Sequence, residues 1–143
     1  MNADTPAAVR QHGGCLCGQV RYTLDTASTR TVICHCRHCQ KQSGSAFSVN
    51  VLVPAAQLQL QGELATYIDT AASGRQLRRR FCVQCGSPIV TEPLTPQPLL
   101  ALKAGSLDDS GWLSPVMHLW CVSAQPWLPF TDELPKLQRQ PGQ

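Results

Sequence analysis

Three tight groups of cysteines are the residues of this sequence whose type and spacing could do chemistry. They leave Cys121 as the one cysteine outside the groups. Zinc binds thiolates, and a site with four protein ligands is structural, whereas a site with three keeps one position open for chemistry. The count therefore predicts four ligands for one metal ion and three for a second. The groups read Cys15-Leu16-Cys17, Cys34-His35-Cys36-Arg37-His38-Cys39 and Cys82-Val83-Gln84-Cys85.

The first and last groups suit a single closed site. Residues two apart in an extended segment point to the same face, so Cys15 and Cys17 can reach one ion together. Cys82 and Cys85 have the spacing of a zinc knuckle, and Gly86 after them allows the tight turn of the backbone. We predict that these four cysteines bind a structural zinc ion that stabilises the fold.

The middle group, Cys34, Cys36 and Cys39, suits a second ion with an open coordination position. Three thiolates around Zn²⁺ leave room for water or an incoming thiol, and the metal lowers the pKa of a thiol bound there. We therefore predict a catalytic zinc site at these residues. The alternative is closure by a fourth protein ligand, and the candidates are His35, His38, His118 and Cys121.

Disulfides and iron–sulfur clusters are the other uses of cysteine to weigh. Residues 1–11 contain no apolar run typical of a signal peptide, and no stretch approaches the roughly 20 apolar residues of a transmembrane helix. We therefore expect a cytoplasmic protein without a membrane partner, in which thiols stay reduced. Iron–sulfur proteins use other cysteine spacings, which leaves zinc as the expected metal.

The charge of the chain does not by itself indicate a nucleic-acid partner. The formal net charge is +3, which is too mild for that inference. One dense basic run contains Arg75, Arg78, Arg79 and Arg80. On a strand, Arg78 and Arg80 would face one way and the other two arginines the opposite way. Only one pair could then line a pocket, and a solvated strand face is the alternative.

The elements that must position these groups are short strands separated by glycine and proline. Eleven prolines argue against long helices, and helix is predicted only at 37–42 and 55–58. The pattern predicts a mainly β fold: a single compact domain of short antiparallel strands in a twisted sheet, with zinc knuckles and little helix. The predicted strands are 20–24, 31–33, 47–53, 58–61, 64–68, 76–81, 88–91, 99–104 and 116–122.

We expect one zinc-binding domain over residues 12–135. The polar segments 1–11 and 136–143 are predicted to be flexible tails.

Several segments resemble the glutathione-dependent formaldehyde-activating enzyme family, whose relatives include centromere protein V. The resemblance runs from about Gly13 to Leu134. It is carried by residues 13–22, by 34–39 with 43–47, by 81–87, and by His118 with Pro126-Trp127.

This resemblance implies a mainly β fold with two zinc ions. It assigns the structural ion to Cys15, Cys17, Cys82 and Cys85, and the catalytic ion to Cys34, Cys36 and Cys39. The reaction it implies is the addition of glutathione to formaldehyde, with the glutathione sulfur at the catalytic zinc.

Further residues could serve this chemistry. A thiol must ionise to attack a carbonyl, and the developing alkoxide then needs a proton or a positive partner. His118 is a candidate acid or base, with a buried structural histidine as the alternative. Backbone amides around Ser43, Gly44 and Ser45 could bind an anionic group, with an ordinary turn as the alternative. Cys121, between two apolar residues, is predicted to be a core thiol.

Two functions from different classes follow. The first is a zinc-dependent carbon–sulfur lyase that joins a small thiol such as glutathione to an aldehyde such as formaldehyde. The second is a non-catalytic zinc module that binds a protein or nucleic-acid partner. The open three-cysteine site favours the enzyme, because a scaffold gains nothing from an open coordination position.

Overall fold

Strands dominate the chain, which confirms the prediction of a mainly β fold with little helix. The computed structural model describes residues 9–95 and 98–143. One α-helix, α1 (Arg37–Ser43), and three short 3-10 turns accompany ten strands in this part of the chain. The strands are β1 (Arg10–Gly14), β2 (Arg21–Asp25), β3 (Arg30–Cys34), β4 (Ser48–Pro54), β5 (Leu58–Gln61), β6 (Leu64–Thr70), β7 (Gln76–Cys82), β8 (Pro88–Pro93), β9 (Leu99–Lys103) and β10 (Pro115–Leu119).

The strands form two sheets. The smaller sheet has the order β1-β2-β5, and the larger has the order β10-β3-β4-β9-β8-β7-β6. Neighbouring strands run antiparallel, as predicted, apart from β10, which lies parallel to β3. Parallel neighbours need a long connection, and the chain between β3 and β10 supplies it.

The main core lies between the two sheets. Alternate residues of a strand point to one face, so Val51 and Val53 of β4 turn inward together with Leu102 of β9. They meet Tyr22 and Leu24 of β2 there. The Tyr22 hydroxyl lies 2.7 Å from the Ser106 hydroxyl, which satisfies its polar end within the core.

The opposite face of the larger sheet is where the site forms. Its register brings Arg30 beside Leu52, Leu52 beside Ala101 and Ala101 beside Thr91. Thr91 in turn pairs with Arg79. Because cross-strand partners share a face, these side chains make a row across five strands on the side away from the main core.

Helix α1 confirms the predicted helix at 37–42. Its N-cap is Cys36, whose Sγ accepts a hydrogen bond from the backbone N–H of Cys39, and its C-cap is Gly44 at φ +68°. The second predicted helix, at 55–58, is wrong. That segment is a single 3-10 turn, Ala55–Gln57, because β5 already begins at Leu58.

Both predicted tails contain hydrogen-bonded residues where the structure describes them. Strand β1 begins at Arg10 and pairs with β2, so ordered structure starts before residue 12. At the other end, Cys121 N–H donates to the Leu137 carbonyl, and Trp120 Nε1 donates to Gln140 Oε1. The segment 136–143 thus forms hydrogen bonds with the end of β10 and the residues that follow it, and its flexibility stays a prediction. Residues 1–8 lie outside the described residues, and the domain bounds 12–135 stay a prediction.

Within residues 9–95 and 98–143, no helix has the length and apolarity that crossing a membrane requires.

Candidate metal centres and the adjoining cavity

The first and last cysteine groups converge, as predicted. Cys15 and Cys17 follow β1, Cys82 ends β7, and Cys85 lies in the next turn. Their four Sγ atoms lie within 4.8 Å of one another. The sulfurs of Cys15 and Cys17 are 3.5 Å apart, and those of Cys17 and Cys82 are 3.8 Å apart. Four ligands at a Zn–S distance of about 2.3 Å would stand about 3.8 Å apart in a tetrahedron, so this group fits one zinc ion.

Two matching turns shape this group. Gly18 N–H donates to the Cys15 carbonyl, and Gly86 N–H donates to the Cys82 carbonyl. Both glycines have positive φ, +85° and +77°, which residues with a Cβ adopt only at a cost. Backbone curvature after each cysteine pair therefore directs two sulfurs from each turn toward one point.

Backbone donors support the charge that a metal-binding thiolate carries. Val20 N–H donates to Cys15 Sγ at 3.2 Å, and Gln84 N–H donates to Cys82 Sγ at 3.3 Å. Hydrogen bonds from the hydroxyl and backbone of Ser87 lower the pKa of Cys85 to about 5. Such donors orient ligands and favour their ionised form.

The middle cysteine group also converges. Cys34 ends β3, Cys36 caps α1 and Cys39 lies in the first helical turn, and all three are buried with their Sγ atoms within 4.8 Å of one another. Hydrogen bonds with Cys36 and Cys39 raise the pKa of Cys34, while hydrogen bonds from Cys34 and Cys36 lower the pKa of Cys39 to about 2. Ionisation of Cys39 thus disfavours ionisation of Cys34. A cation that neutralises all three would fit this set of donors.

No fourth acidic, histidine or cysteine ligand joins this group within the part of the chain that the structure describes. His38 Nδ1 lies 3.0 Å from Asp69 Oδ2. His35 is turned away from the sulfurs and places Nε2 2.8 Å from His118 Nδ1. The four candidates for closure, His35, His38, His118 and Cys121, thus stay outside the cluster.

His118 is not among the residues that line the cavity at the three cysteines. Met117 and Leu119 of β10 line the cavity at the three cysteines, so His118 between them points to the opposite face. It is fully buried, with Nδ1 facing His35 and Nε2 3.0 Å from Asp132 Oδ2. Both ring nitrogens are engaged, which favours the structural alternative over the predicted catalytic role.

The turn at residues 43–45 directs its hydrogen-bond donors to acceptors within the protein, which favours an ordinary turn over the predicted anion site. The backbone N–H groups of Gly44 and Ser45 both donate to the Gln40 carbonyl, and Ser43 Oγ donates to the carbonyls of Gln40 and Phe47. These donors cap the C-terminus of α1. A helix C-terminus carries partial negative charge, so an anion is disfavoured there.

A cavity of about 370 Å³ opens beside the three cysteines. None of the described residues that line it is acidic. Two arginines of the basic run, Arg75 and Arg79, line the cavity, whereas Arg78 and Arg80 do not. The predicted alternation of strand faces therefore determines which pair can face a ligand. Besides those two arginines, the basic residues of the lining are Arg30 and Lys103.

Arg79 and Lys103 differ in how their charges are compensated. Arg79 Nε donates to Asp69 Oδ2 at 2.7 Å, forming a buried ion pair. Lys103 Nζ donates instead to Ser48 Oγ at 3.0 Å and Asn50 Oδ1 at 3.1 Å, which are both neutral. Burial lowers the pKa of Lys103, and the nearby thiols oppose that shift.

Lys103 is the site residue that sequence reasoning missed. One signal was present, because Lys103 is the only charged residue in the apolar run from Leu99 to Ala104. A lysine on a buried strand needs a reason to be there. The residues that partner it, Ser48 and Asn50, carry no comparable signal.

Comparisons with known proteins agree with this geometry. The family model described as glutathione-dependent formaldehyde-activating enzyme matches residues 10–123. A protein of Podospora anserina that is named for this activity is 28% identical over 124 residues, which cover 80% of this chain and 57% of that protein. The chain therefore spans little more than half the length of that curated relative.

A solved structure shares the fold. The crystal structure of a Rhodobacter sphaeroides protein superposes with a TM-score of 0.52 at 17% identity, and the match covers 87% of this chain and 98% of that one. The family match spans most of the chain and includes both groups of converging cysteines. On these grounds, the chain belongs to the glutathione-dependent formaldehyde-activating enzyme family.

Proposed function

We propose that the protein is a zinc-dependent carbon–sulfur lyase that joins a small thiol, such as glutathione, to an aldehyde, such as formaldehyde. The observation that carries this proposal is the separation of seven thiols into two groups, of which the group of three borders a cavity. A closed four-thiolate site would stabilise the fold, and a three-thiolate site beside a cavity would bind substrate.

The proposal includes two zinc ions with different tasks. Cys15, Cys17, Cys82 and Cys85 would hold the structural ion, and Cys34, Cys36 and Cys39 would hold the catalytic one. Zinc bound by these three cysteines would supply an open position at which a thiol loses its proton at neutral pH.

The residues around the three cysteines suit a thiol that carries carboxylates. Arg30 and Arg75 are exposed members of the cavity lining, where a guanidinium can bind a carboxylate through two parallel hydrogen bonds. Val32, Leu52 and Leu119 line the same cavity and limit the access of water to the sulfurs. Glutathione, with two carboxylates and one thiol, meets both requirements.

The alternative, a non-catalytic zinc module, would use an exposed surface instead of the cavity. Arg78 and Arg80 are the basic-run residues that do not line the cavity, and Arg80 lies 3.5 Å from Glu92, which offsets its charge. This pairing leaves less positive charge for a nucleic acid. We therefore favour the enzyme.

Exchange of carbon-13-labelled formaldehyde tests the activity. Nuclear magnetic resonance can measure how fast the label moves between formaldehyde hydrate and S-hydroxymethylglutathione, with and without protein. We expect acceleration by the native protein, none by Cys36→Ser, and the native rate for Cys121→Ser, which keeps all seven grouped thiols. An exchange rate equal to that of buffer for zinc-loaded native protein would overturn the proposal.

A further inference from the structure

The sheet register places a lysine on the same face as the three-cysteine group. Cys34 pairs with Ser48 across β3 and β4, and Asn50 lies two residues further along β4 on that same face. Asn50 pairs with Lys103 of β9. Lys103, Asn50 and the three cysteines all line the cavity of about 370 Å³. The position of Lys103 beside the reacting centre therefore follows from strand pairing.

Lys103 has a buried charge without a carboxylate partner. Lys103 is 7% exposed, and no ion pair among the described residues includes Lys103. An ammonium group has three N–H donors, and Ser48 and Asn50 accept two of them. A buried cation is costly unless it meets negative charge, which three thiolates on a divalent ion, or a bound anionic oxygen, would supply.

Thr91 supplies a second, independent observation. Its Oγ1 is buried and has no hydrogen-bond partner among the described residues. Thr91 pairs with Ala101, two residues before Lys103, so it lies on the same face of the sheet, and it lines the same cavity. A buried hydroxyl left unsatisfied destabilises the fold, and a ligand oxygen in the cavity would remove that cost.

We propose that Lys103 and Thr91 form an oxygen-binding subsite that holds the aldehyde oxygen as it becomes an alkoxide. This inference rests on the proposed function. It assigns the positive partner of the alkoxide to β9, whereas the sequence had suggested a histidine of β10.

The step balances with the groups named. The ionised sulfur of the thiol forms a bond to the aldehyde carbon, and the π electrons of the carbonyl move onto its oxygen. Lys103 and Thr91 donate hydrogen bonds to that oxygen while it carries the charge. The proton that the thiol lost on ionisation returns to the oxygen through water at the mouth of the cavity, and Lys103 keeps its own protons.

Binding of two thiols to cobalt-substituted protein tests the subsite without turnover. Thioglycolate carries an anionic oxygen close to its sulfur, and ethanethiol does not. We expect the thiolate-to-cobalt bands to titrate with at least about tenfold preference for thioglycolate, the value of one charge-assisted hydrogen bond. Lys103→Met should lower the preference at least about tenfold, and Lys41→Met, which removes an exposed lysine, should keep it.

The outcomes separate the inference from the function on which it rests. Native protein that responds to neither thiol contradicts the open metal site and hence the proposed function. Equal affinity of the native protein for both thiols, or a preference that is unchanged in Lys103→Met, overturns the subsite alone. If Lys103→Met fails to fold, Thr91→Val decides, because it keeps the side-chain shape and removes a hydroxyl that bonds to no described residue. Its thioglycolate preference should fall at least about threefold, and an unchanged preference would overturn the subsite.

Kinetic measurements distinguish whether the subsite holds the aldehyde oxygen or a carboxylate of the thiol. An alkoxide role predicts that Lys103→Met lowers kcat on the order of 10²-fold with both glutathione and 2-mercaptoethanol, and leaves KM for the thiol unchanged. A carboxylate role predicts a raised KM for glutathione alone and an unchanged kcat, and that result would overturn the inference.

Discussion

At the scale of single residues, the seven grouped thiols divide into four that converge outside the cavity lining and three that border the cavity. The four sulfurs of the four-cysteine group lie between the turn that follows β1 and the turn that begins at the end of β7. The apparent free energy of a structural zinc site, roughly 10–16 kcal/mol, is as large as the whole stability of a typical domain, about 5–15 kcal/mol. The loss of one ligand from this group should therefore destabilise the whole fold.

Cys85→Ala tests that statement. We expect insoluble or zinc-poor protein, because the loss of one of four thiolates weakens a site whose binding free energy is as large as the free energy of folding. Soluble yield and zinc per chain are the measurements. Cys121→Ala is the matched control, since Cys121 lies outside both groups, and it should behave as the native protein does. A well-folded Cys85→Ala protein with full zinc would contradict the structural role.

His118→Gln tests whether the buried histidine acts in structure or in chemistry. The substitution removes one of the two hydrogen bonds that link His35, His118 and Asp132, so we expect a loss of about 1–3 kcal/mol in the free energy of unfolding. The catalytic rate per folded molecule and its pH profile should stay unchanged, because His118 does not line the cavity. A lost rate with an unchanged urea midpoint would show that the histidine takes part in the reaction.

At the scale of secondary-structure elements, strand pairing and one short helix determine the positions of side chains that the spacing of cysteines alone could not predict. The predicted convergence of the cysteine sulfurs was confirmed for both groups, because a few residues fix which sulfurs can meet. Spacing could not predict the face on which His118 lies, because that depends on how β10 pairs with β3, a contact between segments about 85 residues apart. Lys103 was missed for the same reason: its neighbours belong to β4.

The turn at Ser43-Gly44-Ser45 shows a second limit of sequence reasoning. Glycine between serines suits an anion-binding loop and a helix C-cap equally well, and only the end point of α1 decides between them. Because the helix continues to Ser43, the amides of Gly44 and Ser45 both donate to its Gln40 carbonyl.

Gly44→Ala tests the contribution of this cap to the helix that carries Cys39. A Cβ at Gly44 would meet no atom within 4 Å, so the cost comes from its positive φ alone, about 1–2 kcal/mol of unfolding free energy. Gly105→Ala is the matched control, with equal space and no positive φ, and it should cost nothing. Urea unfolding of both variants measures the difference. Equal midpoints would mean that the left-handed cap does not limit stability.

At the scale of the whole molecule, the two faces of the larger sheet have different tasks. One face packs on the smaller sheet to form the core, and the other carries the cavity with its basic lining. The C-terminal segment completes that cavity, since Gln140 and Pro141 are among its lining residues. The cavity is therefore a property of the assembled fold, because its lining comes from the C-terminal segment, α1 and strands β3, β4, β7, β8, β9 and β10.

The charge of this lining predicts how salt acts on binding. Raising the salt concentration from about 50 to 500 mM should weaken glutathione binding about three- to tenfold, because exposed arginines attract its carboxylates less strongly when screened. Binding of 2-mercaptoethanol, which has no carboxylate, should change little. Titration of cobalt-substituted protein measures both affinities. Equal salt dependence for the two thiols would show that the arginines do not bind carboxylates.

The division of the seven cysteines into two metal sites is the central claim, and zinc stoichiometry tests it most directly. Elemental analysis of purified protein should give two zinc ions per chain for the native protein and for Cys121→Ser. Cys36→Ser should keep one zinc ion and a folded circular dichroism spectrum, because its substitution leaves the four-cysteine group intact. One zinc ion in the native protein, or the loss of both from Cys36→Ser, would contradict the claim.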